Sequence, residues 1–82
     1  MDYKIYSSGD LTAPAHEELE AGRTLTFKGN FRRIDIEPGL EKNEDETPAL
    51  YYILQAGEPM EIRFDPVEAI LAAGDLIRKA SK

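Results

Sequence analysis

The chain has no cysteine and a single histidine, His16, among its 82 residues. The absence of cysteine excludes a disulfide framework and a thiolate metal site. It is also typical of proteins that fold in a reducing compartment, so we expect a cytoplasmic location. One histidine without a cysteine gives no Cys/His pair, and the sequence recommends no Ser/His/Asp set. We therefore expect no catalytic residues and a protein that is not an enzyme.

Signals for membranes, phosphates and calcium are missing as well. No apolar run approaches the roughly 18 to 20 residues that cross a bilayer, and residues 1–6 do not resemble a signal peptide. Neither a P-loop motif nor GxGxxG occurs, and residues 41–46 lack the spacing and the turn glycine of an EF-hand loop. We expect no cofactor, no metal site and no membrane partner.

Basic residues are fewer than acidic ones, 10 against 16, which gives a net charge of −6. Residues 35–46 supply −5 of that charge, because six acids there are opposed by Lys42 alone. The six acids are Asp35, Glu37, Glu41, Glu44, Asp45 and Glu46. Phosphate binding needs clustered Lys and Arg, so the sequence disfavours direct nucleic-acid binding and favours a basic partner. The alternative is that these acids form a flexible, solvated connection.

One short segment carries the opposite charge. Residues 23–33 contain four basic side chains, with Phe27 and Phe31 between them: Arg23, Lys28, Arg32 and Arg33. Single-strand binders place aromatic and basic residues together on a sheet. The simpler prediction is internal pairing of the arginines with Asp35, Glu37 or the glutamates at 17, 18 and 20.

The patterning predicts one small α+β domain covering residues 1–82. We expect strands at 3–6, from 24 onward, at 49–55 and at 60–64, with a weak helix capped by Thr12 and ended by Gly22. Gly29-Asn30 predicts a hairpin that pairs Leu25 with Ile34, and the alternative is one long bulged strand. The result is an antiparallel sheet of four or five strands with a C-terminal helix packed on one face.

The last third of the chain gives the clearest local pattern. Met60, Ile62 and Phe64 alternate with polar residues, which predicts a strand with one buried face. Asp65 then has the position of a helix N-cap, and Pro66 that of the first helical residue.

The C-terminal helix carries two apolar stripes. We expect the larger side chains, Val67, Ile70, Leu71 and Ile77, to cover the sheet with Gly74 between them. The second stripe consists of Ala69, Ala72, Ala73, Leu76 and Ala80. It is either ordinary helix-forming sequence, covered by the weak N-terminal helix, or the interface of a homodimer or of another protein.

These observations favour a non-enzymatic interaction protein that binds a larger protein, as an inhibitor or a regulator. The acidic patch would face a basic, nucleic-acid-binding surface, with Tyr51 and Tyr52 as candidate aromatic anchors. Small acidic phage-encoded inhibitors of nucleic-acid machinery share this size and charge, although no motif is shared. The alternatives are a homo-oligomeric structural or accessory subunit, and a small-ligand-binding module at a subunit interface.

Overall fold

A computed structural model of the protein describes residues 3–30 and 32–80, without the side chain of Ala80. The elements in chain order are β1 (Lys4–Ser7), α1 (Ala15–Glu20), β2 (Leu25–Lys28), β3 (Arg33–Pro38), β4 (Tyr51–Gln55), β5 (Glu58–Arg63) and α2 (Pro66–Ala80). The predicted α+β fold with a C-terminal helix on an antiparallel sheet is confirmed.

The five strands form one antiparallel meander in the order β1-β2-β3-β4-β5. In its register, Phe27 of β2 lies between Ile5 and Ile34, and Ile36 lies opposite Ile53. Because side chains alternate along a strand, these apolar residues share one face of the sheet. Both helices pack on that face, which we call the helix face; we call the opposite one the open face.

The core lies between the helix face and the two helices. Its members are Leu19, Leu25, Phe27, Ile34, Ile36, Tyr51, Ile53, Ala69, Ala73 and Ile77, each no more than 1% exposed. Burial of this apolar surface is the main term that holds so small a domain together. Truncating a core residue such as Ile53 to alanine would typically cost about 2 to 5 kcal/mol.

The prediction of a hairpin after residue 24 is partly correct. Residues 25–36 do form a hairpin, but Leu25 lies opposite Ile36 rather than Ile34. The amide of Gly29 donates to the carbonyl of Arg32, so Gly29 is paired across the hairpin and is not part of its reversal as predicted. Phe31 lies outside the described residues.

The first helix begins later than predicted. Thr12 does not cap it: α1 starts after Pro14, which has no side chain able to accept a capping hydrogen bond. Gly22 has a φ of +89°, a conformation suited to glycine just past a helix end. His16 is half-buried on this helix.

The prediction of a buried face on β5 is wrong. Met60 is 53% exposed, Ile62 46% and Phe64 73%. The register places Glu61 opposite Ile53 and Arg63 opposite Tyr51, so the charged residues of β5 share the helix face. A register shift next to Leu54 accompanies this arrangement.

The assignment of the stripes on α2 is also partly wrong. Val67 is 48% exposed and Leu71 59%, whereas the expected second stripe supplies the buried Ala69 and Ala73. Ile77 and Gly74 are buried as predicted.

The capping prediction is confirmed, because the amide of Glu68 donates to Oδ2 of Asp65 at 3.0 Å.

Candidate functional site

The hairpin of β3 and β4 continues beyond the sheet as a two-stranded extension. We call residues 39–50 the acidic arm. The amide of Gly39 donates to the carbonyl of Leu50 at 2.9 Å, and the amide of Ala49 donates to the backbone carbonyl of Glu41 at 2.9 Å. Lys42 and Pro48 form an isolated bridge further along. These pairings make the acidic arm an ordered hairpin, not the flexible connection that like-charge runs usually form.

The tip of the acidic arm is held by side chains. The side-chain amide of Asn43 donates to Oγ1 of Thr47 at 3.1 Å and to the carbonyl of Pro48 at 3.3 Å. Oδ1 of Asp45 accepts the hydroxyl of Thr47 at 2.6 Å and its amide at 3.1 Å. These bonds, from the hydroxyl first and the amide second, hold the pKa of Asp45 below its ordinary value. Glu46 completes the turn with a φ of +69°.

A groove of about 490 Å³ lies where the acidic arm leaves the sheet. It is lined by Glu37, Pro38, Gly39, Leu40, Glu41, Leu50 and Tyr52. Leu40 is 97% exposed, and Tyr52 is 37% exposed on the open face. An exposed leucine and tyrosine between two glutamates form an apolar strip with a negative rim, which suits a partner that is both basic and apolar.

Gly39 gives the groove its shape. A Cβ built at this position would lie 2.8 Å from Cδ1 of Leu50 and 3.1 Å from its Cγ. A glycine therefore lets the leucine side chain pack directly on the opposite backbone, and Leu50 becomes part of the floor beside Tyr52.

The six predicted acids separate into two groups. Asp35 accepts the Thr26 hydroxyl at 2.6 Å and Nε of Arg33 at 3.2 Å, and Asp45 is bound to Thr47 as described. These two carboxylates are part of the fold. The side chains of the other four are exposed, and among the described residues their carboxylates accept no hydrogen bond and form no ion pair: Glu37, Glu41, Glu44 and Glu46.

The two predicted aromatic anchors also differ. Tyr51 is 1% exposed and belongs to the core, so it cannot contact a partner, and its burial raises the pKa of its hydroxyl. Tyr52 points to the open face and lines the groove with Glu37 and Glu41. The structure thus brings three of the predicted site residues together, and it removes Tyr51 from the set.

The basic segment is largely used within the fold, as predicted. Arg23 pairs with Glu18 at 3.0 Å and Arg33 with Asp35 at 3.2 Å. Arg32 donates to the carbonyl of Leu76 at 3.3 Å. The ammonium of Lys28 lies 5.4 Å from the centre of the Tyr6 ring, a cation–π contact.

The predicted oligomer interface on α2 does not exist as a continuous surface. Ala69 and Ala73 have no exposed area, and Ala72 and Leu76 are half-buried against the core. The side chain of Ala80 lies outside the described part. Of the two alternatives for this stripe, the structure favours cover within the chain, because α2 places Ala69 and Ala73 in the core and α1 packs against α2.

Sequence reasoning did not find Leu40. A single leucine next to Pro-Gly and followed by Glu-Lys is a weak signal, because it has no periodic partner. Leu40 becomes a candidate only in the folded chain, where the pairing of the acidic arm leaves its side chain exposed in the same groove as Tyr52.

Two further findings concern function. Within residues 3–30 and 32–80, no three His, Cys, Asp or Glu residues come close enough to hold a metal ion. Over the same ranges, neither helix has the length and apolar character needed to span a membrane.

No protein family, curated protein or solved structure matches this chain.

Proposed function

We propose that this protein is a non-enzymatic interaction module that binds a larger protein through the groove at the base of the acidic arm. The observation that carries the proposal is the groove itself, which brings the exposed Leu40 and Tyr52 together between Glu37 and Glu41. Exposing a large apolar side chain on an ordered segment has no benefit for the fold of a monomer. An apolar groove with a charged rim is typical of an interaction site, whereas a single exposed leucine elsewhere on a surface would not be.

The charges around the groove select the partner. Glu37 and Glu41 rim it, and Glu44 and Glu46 extend the negative surface along the acidic arm. A partner segment with Lys or Arg side chains around one aliphatic or aromatic side chain complements this arrangement. Nucleic-acid-binding proteins present such basic surfaces, so a protein that inhibits or regulates one of them fits the charge pattern.

A selected peptide provides the test. A displayed library of Lys/Arg-containing peptides with one central apolar residue is screened against the full chain, and the affinity of the best binder is measured by calorimetry at several salt concentrations. Leu40→Ser should weaken binding about tenfold, which corresponds to ~1.4 kcal/mol. Glu37→Gln with Glu41→Gln should weaken it and reduce its dependence on salt.

The matched control is Glu17→Gln, since Glu17 is an exposed glutamate on α1, away from the groove. Its affinity should equal that of the unmodified chain. If Leu40→Ser and the glutamine pair leave affinity and salt dependence unchanged, the groove is not the binding site. Asp45 is left intact in every variant, because its replacement would disturb the arm itself.

A further inference from the structure

The strand β5 is an edge of the sheet and exposes apolar residues beside that edge. It is hydrogen-bonded to β4 on one side only. Met60, Ile62 and Phe64, at alternate positions, are 53%, 46% and 73% exposed. An unpaired edge with exposed apolar side chains is a template for pairing with another strand. None of these three residues lines the groove, although Ile62 lies opposite the groove residue Tyr52 in the register of β4 and β5.

The direction of the backbone groups in β4 determines which groups of β5 are free. The amide of Gly39 donates to the carbonyl of Leu50, so the backbone groups of Leu50 point to the β3 side. Antiparallel strands alternate this direction residue by residue. The backbone groups of Tyr51 and Ile53 therefore point to β5.

Ile62 consequently presents its backbone away from β4. Arg63 lies opposite Tyr51 and Glu61 lies opposite Ile53, so these two residues use their backbone groups in the β4 ladder. The amide and carbonyl of Ile62, between them, point to the free edge. An independent contact agrees, because Nη1 of Arg63 reaches around to the Ile62 carbonyl at 2.9 Å.

We propose that β5 pairs antiparallel with β5 of a second copy of this chain, about a two-fold axis at Ile62. The outward amide and carbonyl of Ile62 would bond those of the second copy's Ile62. Residues whose numbers are equally far from 62 then lie opposite each other, so Glu61 faces the second copy's Arg63, and Met60 faces its Phe64. The charges are complementary on one face, and apolar side chains meet on the other.

Charge complementarity is what selects a second copy as the occupant. Glu61 and Arg63 already form an ion pair within one chain. Two-fold pairing exchanges the two internal ion pairs, one in each copy, for two ion pairs between the chains, and it releases each Arg63 guanidinium from the Ile62 carbonyl. A two-fold contact also closes on itself, whereas pairing of β5 with the β1 edge would continue from copy to copy.

The paired segment is short, and the sequence limits it at both ends. Pro59 has no amide hydrogen to donate, and α2 begins at Pro66. Met60 to Arg63 of β5 remain as the contact, together with Phe64, which directly follows the strand. An interface of this size is at the weak end of specific contacts, so we expect a monomer–dimer equilibrium that depends on protein concentration.

Sedimentation of the full chain from low to high micromolar concentration tests the proposal. The mass should rise from one chain towards two. Glu61→Arg alone places arginine against arginine, and Arg63→Glu alone places glutamate against glutamate, so each variant should remain a monomer. An equimolar mixture of the two variants restores both cross-strand pairs and should form a heterodimer.

Two more variants complete the design. Glu58→Arg makes the same charge change as Glu61→Arg outside residues 60–64, and it should dimerise like the unmodified chain. Ile62→Pro removes the outward amide without removing a bond to β4, and it should give a monomer with an unchanged circular dichroism spectrum.

Three outcomes would overturn the proposal. The first is a one-chain mass for the unmodified protein at every concentration. The second is a dimer that persists in a folded Ile62→Pro variant. The third is failure of the mixed charge variants to associate while the unmodified chain does. In the proposed register the new arginine at 61 faces the new glutamate at 63, so the mixture must restore the contact.

Discussion

At the scale of single residues, Glu18 connects three parts of the chain. It is 3% exposed, and its carboxylate accepts the Ser7 hydroxyl of β1 at 2.8 Å and Nη1 of Arg23 at 3.0 Å. A Cβ at Gly9 would lie 2.6 Å from Nε of Arg23, so the glycine gives the guanidinium its room. A buried carboxylate is tolerable here because both of its oxygens accept a hydrogen bond.

We predict that Glu18→Ala lowers the free energy of unfolding by about 1 to 2 kcal/mol. The variant loses two hydrogen bonds to a charged group, but Arg23 is half exposed, and water can replace its partner. Urea denaturation measures the change. Glu18→Gln keeps an acceptor for Ser7 and should lose less. Glu17→Ala, an exposed position on the same helix, is the control, and an equal loss in it would contradict the role assigned to the buried carboxylate.

At the scale of the elements, the tip of the acidic arm depends on one side-chain turn. Because Thr47 donates to Asp45, the folded-state pKa of this carboxyl is lower than its unfolded value. The ionised carboxylate therefore stabilises the arm at a pH above the unfolded value of about 3.9. That contribution is lost as the pH falls through the lower folded-state pKa.

We predict that Thr47→Val raises the pKa of Asp45 towards its ordinary value, because the hydroxyl bond is the largest cause of the shift. Carboxyl titration by NMR measures it residue by residue. An unchanged Asp45 midpoint in the variant would show that the hydroxyl does not stabilise the ionised form.

Several elements of the fold could be predicted from the local sequence alone. The Asp65 cap, the hairpin of β2 and β3 and the helix after β5 follow from local chemistry, and the structure contains all three. The buried face of β5 was predicted wrongly, because alternation shows that two faces differ but not which one a helix covers. Ile62 is exposed since β5 lies at the edge and its register with β4 turns Glu61 and Arg63 to the helix face.

The candidate site likewise contains residues that the sequence identified and residues that only the tertiary structure reveals. Glu37, Glu41 and Tyr52 could be proposed from charge and residue type, and the groove contains them. Tyr51 and Tyr52 are neighbours of one type, and only the tertiary register decides that Tyr51 is in the core. Leu40 carries no local pattern, so its exposure follows from the pairing of the acidic arm alone.

At the scale of the whole molecule, the charge is distributed unevenly over the fold. The net charge is −6, and the acidic arm with the end of β3 supplies most of it. Four arginines elsewhere in the described residues are paired with other carboxylates, Glu18, Asp35, Glu61 and Asp75, and so do not neutralise the acidic arm. Like charges held together by an ordered hairpin repel each other in the folded state, and dissolved salt screens that repulsion.

We predict that sodium chloride raises the thermal midpoint by several degrees, where ~1 kcal/mol corresponds to about 4 to 8 °C for a domain of this size. The triple variant Glu41→Gln, Glu44→Gln, Glu46→Gln removes three of the repelling charges and keeps the Asp45 turn. It should start from a higher midpoint at low salt and respond less to added salt. Calorimetric scans at one low micromolar concentration keep any self-association constant between samples. Equal salt responses in the two proteins would mean that the acidic arm adds no repulsion to the folded state.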